Sequence, residues 1–138
     1  MKSCIIDSGF LYALVDDSDE HSERVRKAVE SVYELILLPS PAITEIAYFV
    51  QRNLGQSALA RFIENLNSMG MSLVDPLEED LLRIGAILRT YPDQDIDFVD
   101  AIIMAMAERL NITKILTVDR RHFQIFRPVH CEAFEILP

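Results

Sequence analysis

Five short apolar runs, set apart by stretches of helical periodicity, constrain this chain more than any other feature. They are KSCII at residues 2–6, ELILL at 34–38, MSLVD at 71–75, KILTV at 114–118 and AFEIL at 133–137. Each has the length of a strand buried on both faces. The segments between them read as helices. Residues 8–16 place Leu11 and Leu14 inward, and 20–32 align Val25, Ala28, Val29 and Val32. A third helix opens with Ser40 as cap and Pro41 in its first turn and stops at Asn53 to Gly55. Residues 56–68 carry Leu59, Phe62, Ile63 and Leu66 on one face. The next helix starts with Asp75 as cap, then Pro76 and Glu78, and runs to about Arg89. TYPDQD is a loop, 97–110 is the most apolar helix, and 119–123 is a turn or short helix. Strands alternating with helices predict the α/β class. The expected architecture is a three-layer α/β/α sandwich around a central, mostly parallel sheet of four to five strands, the last at an edge. The 138 residues suit a single domain, 1–138, without repeat or linker.

The same runs exclude other classes. None reaches the roughly 18 uncharged apolar residues that cross a membrane. Asp7 interrupts the first run, so the charged-then-apolar pattern of a secretion signal is not expected. A cytoplasmic protein is expected, with Cys4 and Cys131 as reduced thiols. The net charge of −9 repels phosphate at long range. A polyanionic partner therefore requires a cation or a second protein to change the local sign.

The acids sit where an α/β sheet places chemistry. In open α/β sheets ligands bind at the carboxyl ends of strands, near a switch in strand order. Asp7 follows the first strand and Asp119 the fourth, so both fall on one rim. Glu45 lies within two turns of the start of a helix entered from that rim, among Ile43, Ile46, Ala47, Phe49 and Val50. Asp97 and Asp100 are spaced i, i+3 on one helix face, and the run AIIMAM after Asp100 presses it into apolar surroundings. Two unit charges about 4 Å apart repel by roughly 4 kcal/mol at an effective dielectric near 20. Several such carboxylates threaten a stability of order 10 kcal/mol, and a divalent cation reverses the sign. Hard oxygen ligands with no neighbouring His or Cys favour Mg²⁺ or Mn²⁺. Such an ion joins carboxylates to a phosphodiester and activates water.

Each acid also has a plainer reading. Asp7 suits a solvated loop, Glu45 a helix edge, Asp97 a helix cap with Asp100 in the dipole-favoured first turn, and Asp119 the cap of the short helix behind it. His21, His122 and His130 lack ligand spacing, and His122 is read as a surface or core residue before one beside the site. Met104 and Met106 read as core or as a dimer face. Arg120 and Arg121 form either a phosphate clamp or a solvated pair.

Four stretches together resemble the PIN-domain family: IIDSGFLYALVDDSDEH, PAITEIAYFV, DIDFVDAIIMAMAERL and ILTVDRRHF, in order and at similar separations. The resemblance covers nearly the whole chain. It implies that Asp7, Glu45, Asp100 and Asp119 form a centre for Mg²⁺ or Mn²⁺, with Asp97 at a neighbouring position. Ser8 and Thr117 match polar positions that support the metal shell. It further implies a ribonuclease cutting single-stranded RNA, in a group whose small prokaryotic members are often homodimeric toxins held by an antitoxin protein.

Two other acidic-pocket folds fit less well. A receiver domain needs a second acid beside Asp7 and a lysine ending the last strand, whereas Lys114 precedes its strand. A haloacid-dehalogenase-type phosphatase needs an Asp where Gly9 stands. A binding or scaffold protein that keeps the acids without catalysis remains the alternative function.

Overall fold

The computed structural model describes residues 2–138. The elements in chain order are β1 (Ser3–Ile6), α1 (Ser8–Val15), α2 (Ser22–Val29), β2 (Leu35–Pro39), α3 (Ser40–Leu54) and α4 (Gln56–Asn65). A 3₁₀ turn (Leu66–Met69) then leads to β3 (Met71–Val74), α5 (Glu78–Thr90), α6 (Phe98–Leu110), β4 (Lys114–Leu116), α7 (Arg120–Ile125) and β5 (Glu135–Leu137). The five strands make one sheet in the order β3-β2-β1-β4-β5. Every pairing is parallel, with Cys4 opposite Ile36 and Ile6 opposite Leu116 in the centre. The five apolar runs thus all become strands, and AFEIL ends at the edge as expected.

Strand order fixes where the helices go. From β1 the chain steps to β2 and then β3, crosses back over the sheet, and lays β4 and β5 on the other side of β1. Parallel crossovers are right-handed, so reversing the direction of travel puts the later helices on the opposite face. The packing agrees: α1 packs on α2 and α3, and α3 on α4, while α6 packs on α5 and α7. The reversal leaves a switch point between β1 and β4, at their carboxyl ends.

Helix α6 is the central support. Every residue from Val99 to Ala107 is buried, so this helix has no solvent face over nine residues. Met104 and Met106 are core. Two ion pairs bind α6 to α5: Arg83 straddles Glu108 at 2.6 and 3.0 Å, and Arg109 Nε reaches Asp80 at 2.9 Å. In α1, Gly9 permits close packing on the end of β4, because a Cβ there would meet Val118 Cγ2 at 3.0 Å. Cys4 is buried and Cys131 half-buried, both as free thiols.

Two predicted caps are displaced. Asp75 does not cap α5; it accepts a hydrogen bond from Ser40 Oγ, and Leu77 takes the cap position with its N–H donating to Asp80 Oδ2 at 2.8 Å. Ser40 is the first residue of α3, with Pro39 ahead of it. The acid that bonds back is Asp80 and not the expected Glu78, because α5 begins at Glu78 and Asp80 is the residue three past its cap. Helix α2 stops at Val29 because Ser31 and Val32 bond back three residues to Ala28 and Val29, which closes the turn early.

Candidate metal centre

The acid after β1 is built into the sheet. Asp7 donates its backbone N–H to Leu116 O of β4 at 2.8 Å. Its side chain caps α1, accepting from Ser8 N at 2.7 Å, and accepts from Thr117 Oγ1 at 2.9 Å. Thr117 is fully buried and its hydroxyl also accepts from Asp119 N at 3.1 Å. One threonine thus ties the acid of β1 to the acid that follows β4. Ser8 extends the chain, its hydroxyl donating to Glu45 Oε1 on α3. The solvated-loop reading of Asp7 is therefore set aside: the residue is buried.

A second group converges from α6 and α7. Asp97 is exposed and caps α6, accepting from Asp100 N at 2.8 Å. Asp100 is buried in the first turn, and its Oδ2 lies 2.9 Å from His122 Nδ1. The same nitrogen is 3.4 Å from Asp119 Oδ2. One ligand atom each from Asp100, Asp119 and His122 fall within 4.8 Å of one another. Asp119 occupies the cap position of α7 without making a side-chain cap bond, which leaves its carboxylate on the rim.

Electrostatics separates these acids from ordinary ones. Burial pushes the Asp7 carboxyl up to about 6; bonds from Thr117 and Ser8 oppose the rise, and the charges of Glu45 and Asp97 add to it. Burial, followed by the charges of Asp7, Asp97 and Asp119, pushes Asp100 up to about 8. Among the described residues no lysine or arginine pairs with either acid. The donor set fits a divalent cation: carboxylate oxygens brought together at their own electrostatic expense, with hydrogen bonds fixing each orientation. His122 corrects the premise that no histidine neighbours the acids. Imidazole suits first-row transition ions, so the donor set is compatible with such an ion as well as with a hard one.

The arginine pair divides. Arg120 donates to the carbonyls of Ile136 and Pro138, fastening α7 to β5, and Arg121 is exposed. His122 is the residue the sequence reading undervalued. Its signal was the i, i+3 spacing from Asp119, which puts both on one face of α7.

An α/β sheet with carboxylates gathered at its switch point defines a class of acidic-centred α/β proteins. The comparisons narrow it. Residues 4–127 match the PIN domain model, and the chain belongs to the PIN-domain family. It is similar to Ribonuclease VapC26 of Mycobacterium tuberculosis, 27% identical over 134 residues that span 97% of this chain and 99% of the relative. Its fold resembles that of Mycobacterium tuberculosis VapC20, a Sarcin-Ricin loop cleaving toxin, with a TM-score of 0.74, 16% identity and coverage of 81% and 86% of the two chains. It also resembles a toxin-antitoxin complex from Klebsiella pneumoniae, with a TM-score of 0.69, 16% identity and coverage of 89% and 92%.

Proposed function

We propose that this chain is a cytoplasmic, metal-dependent endoribonuclease that hydrolyses phosphodiester bonds of single-stranded RNA, and the toxin of a toxin–antitoxin pair. One observation carries the proposal: Asp7 and Asp100, from distant parts of the chain, are buried together at the switch point with their carboxyls raised to about 6 and 8. Folding keeps such a liability where function needs it. The similarity to a ribonuclease along nearly the whole chain supports the reaction class.

Asp7, Asp100 and Asp119 would hold Mg²⁺ or Mn²⁺, with Asp97 at the open side. When bound, the ion would neutralise these acids, polarise a phosphate oxygen and make water a competent nucleophile near neutral pH. The chain's own groups supply the remainder. Thr117 and the Ser8 N–H fix the Asp7 carboxylate. His122 Nδ1 holds Asp100 and Asp119 facing one another. Glu45 is bound to Ser8 through Oε1, which leaves Oε2 to take a proton as hydrolysis proceeds. The likeness to a toxin-antitoxin complex supports an antitoxin partner. Exposed leucines on and before α5, with Leu82 84% exposed, support a further contact with a second copy of the chain.

The test is cleavage of single-stranded RNA by purified protein with Mg²⁺ or Mn²⁺. The wild type cuts, and Asp7→Asn and Asp100→Asn, shown folded by circular dichroism, do not. A wild type that cuts no RNA with either ion turns the reading toward a non-catalytic binding protein.

A further inference from the structure

The charge of −9 leaves a question that the carboxylate centre does not answer: what grips the remainder of a polyanion? A groove of about 510 Å³ runs off the centre, and Glu45 and Asp97 belong to its wall. Beyond them its lining includes Tyr48, Phe49 and Phe98, and among the described residues no lysine or arginine lines it. These rings are open to solvent: Tyr48 is 57% exposed, Phe98 56% and Phe49 40%. On α3 the spacing of Glu45 and Tyr48 stacks them one turn apart on the same face. On α6, Phe98 stands between the cap Asp97 and the buried Asp100. Tyr48 and Phe49 meet edge to face, with centroids 5.5 Å apart, so their planes present two walls. At the far end Arg52 lies 6.0 Å over the Tyr48 ring.

A face walled by acids and rings repels phosphate and attracts uncharged π surfaces. Single-stranded nucleic acid offers such surfaces, because its bases are free to splay from the backbone. Resting on the nuclease reading above, we propose that Tyr48, Phe49 and Phe98 are a stacking platform for the nucleobases flanking the scissile phosphate. Glu45 and Asp97 belong both to the groove's wall and to the acidic rim, so a base seated there brings its own phosphate toward that rim. Arg52, beyond Tyr48, meets the next phosphate along. The platform gives an acidic enzyme its hold on RNA, and it excludes duplexes, whose bases are already stacked.

The test uses the full chain and a short single-stranded RNA carrying 2-aminopurine, whose fluorescence is quenched on stacking. Tyr48→Ala and Phe98→Ala, both at mostly exposed rings, remove the quenching and raise KM roughly tenfold or more with kcat little changed. Tyr48→Phe and Phe98→Tyr restore both readouts, which a folding defect would not allow. Wild-type protein that quenches but cuts no RNA keeps the platform and overturns the nuclease reading. Wild-type protein that cuts RNA without quenching, or alanine variants with unchanged KM, overturns the platform and leaves the nuclease. Alanine variants that bind RNA normally but lose a dimer in solution show that a second copy covers the groove, and that also overturns it.

Discussion

Two groups of acids in this molecule are shielded from solvent but keep different company. At the seam between α5 and α6, Asp80 is 3% exposed and Arg109 bonds it at 2.9 Å. At the rim, Asp100 is 5% exposed and its neighbour is His122, with no arginine or lysine beside it among the described residues. Burial pushes both carboxyls up. At the seam the Arg109 bond, the Leu77 N–H and the Arg109 charge overcome it and hold Asp80 below the usual range. Glu108 follows the same pattern, burial being outweighed by Arg83 and the Val129 N–H. At the rim nothing opposes burial strongly enough, and neighbouring acids add to it. Similar solvent exposure with opposite outcomes shows that exposure alone does not decide whether a carboxyl is raised or lowered. A buried acid with a cationic partner ionises readily; one among other acids resists ionising, and on the proposed reading that cost serves a bound cation.

The strongest way to break this contrast is a paired substitution. Asp100→Asn is expected to lower RNA cleavage at least ~10²-fold, since losing even a residue that supports a metal ligand costs up to that much. The fold should become more stable at neutral pH without added metal, because folding no longer has to protonate or desolvate that carboxyl. Asp80→Asn should leave kcat near wild type and destabilise the fold by about 2–3 kcal/mol, since it strands the Arg109 charge and weakens the bond to Leu77 N. In a chain of this size that lowers Tm by roughly 10 °C, at ~4 °C per kcal/mol. Thermal melts and cleavage rates on the same two proteins decide it. Opposite signs on both readouts are expected, and a destabilised Asp100→Asn protein would remove the distinction between rim and seam.

Stability against pH sharpens the contrast. Seam acids lie below the ordinary carboxylate range, so above about pH 5 they are ionised whether folded or not and contribute no slope. Rim acids bind more protons folded than unfolded, because their carboxyls are raised to about 6 and 8. Their contribution is fully present below about pH 4. It is lost as pH rises through 6 for Asp7 and 8 for Asp100. Metal-free protein should therefore lose denaturation free energy between pH 5 and 8.5, and Asp100→Asn should lose most of that slope. Excess Mn²⁺ should flatten the curve by displacing the protons and stabilising the folded form. A flat metal-free profile would mean that the rim acids ionise as freely as surface ones.

How much of this was legible beforehand follows from the range of each signal. The strands were legible because a sheet buried on both faces demands unbroken apolar runs, and ELILL or KILTV can hardly be anything else. Asp7 and Asp119 were legible because each follows such a run on one rim, and Asp100 because an apolar helical run follows it. The helix starts were less so. Asp75 with Glu78 fits a start for α5, but a tertiary bond from Ser40 engages Asp75 and the helix begins later, with Asp80 bonding back to Leu77 N. The seam pairs were illegible, since Asp80 and Arg109 are 29 residues apart and become neighbours only when α5 lies on α6. His122 fell between these cases. Its spacing to Asp119 was local, but its bond to Asp100 spans 22 residues.

That position makes His122 the finest test of the rim. It touches two acids of the centre, so His122→Ala should weaken Mn²⁺ binding by about 10–100-fold, the usual cost of removing a group that orients ligands or ligates weakly itself. Thr117→Val removes a bond to Asp7 while keeping the shape, and should cost less, about tenfold. The two separate by metal identity. If His122 only orients the carboxylates, its loss weakens Mg²⁺ and Mn²⁺ alike. If its imidazole also reaches the ion, Mn²⁺ suffers more than Mg²⁺, because nitrogen ligands suit the transition ion. Calorimetric titration of both ions into both variants reads the ratio directly. Unchanged affinity for both ions in His122→Ala would return His122 to a packing role and leave the centre to its oxygen ligands.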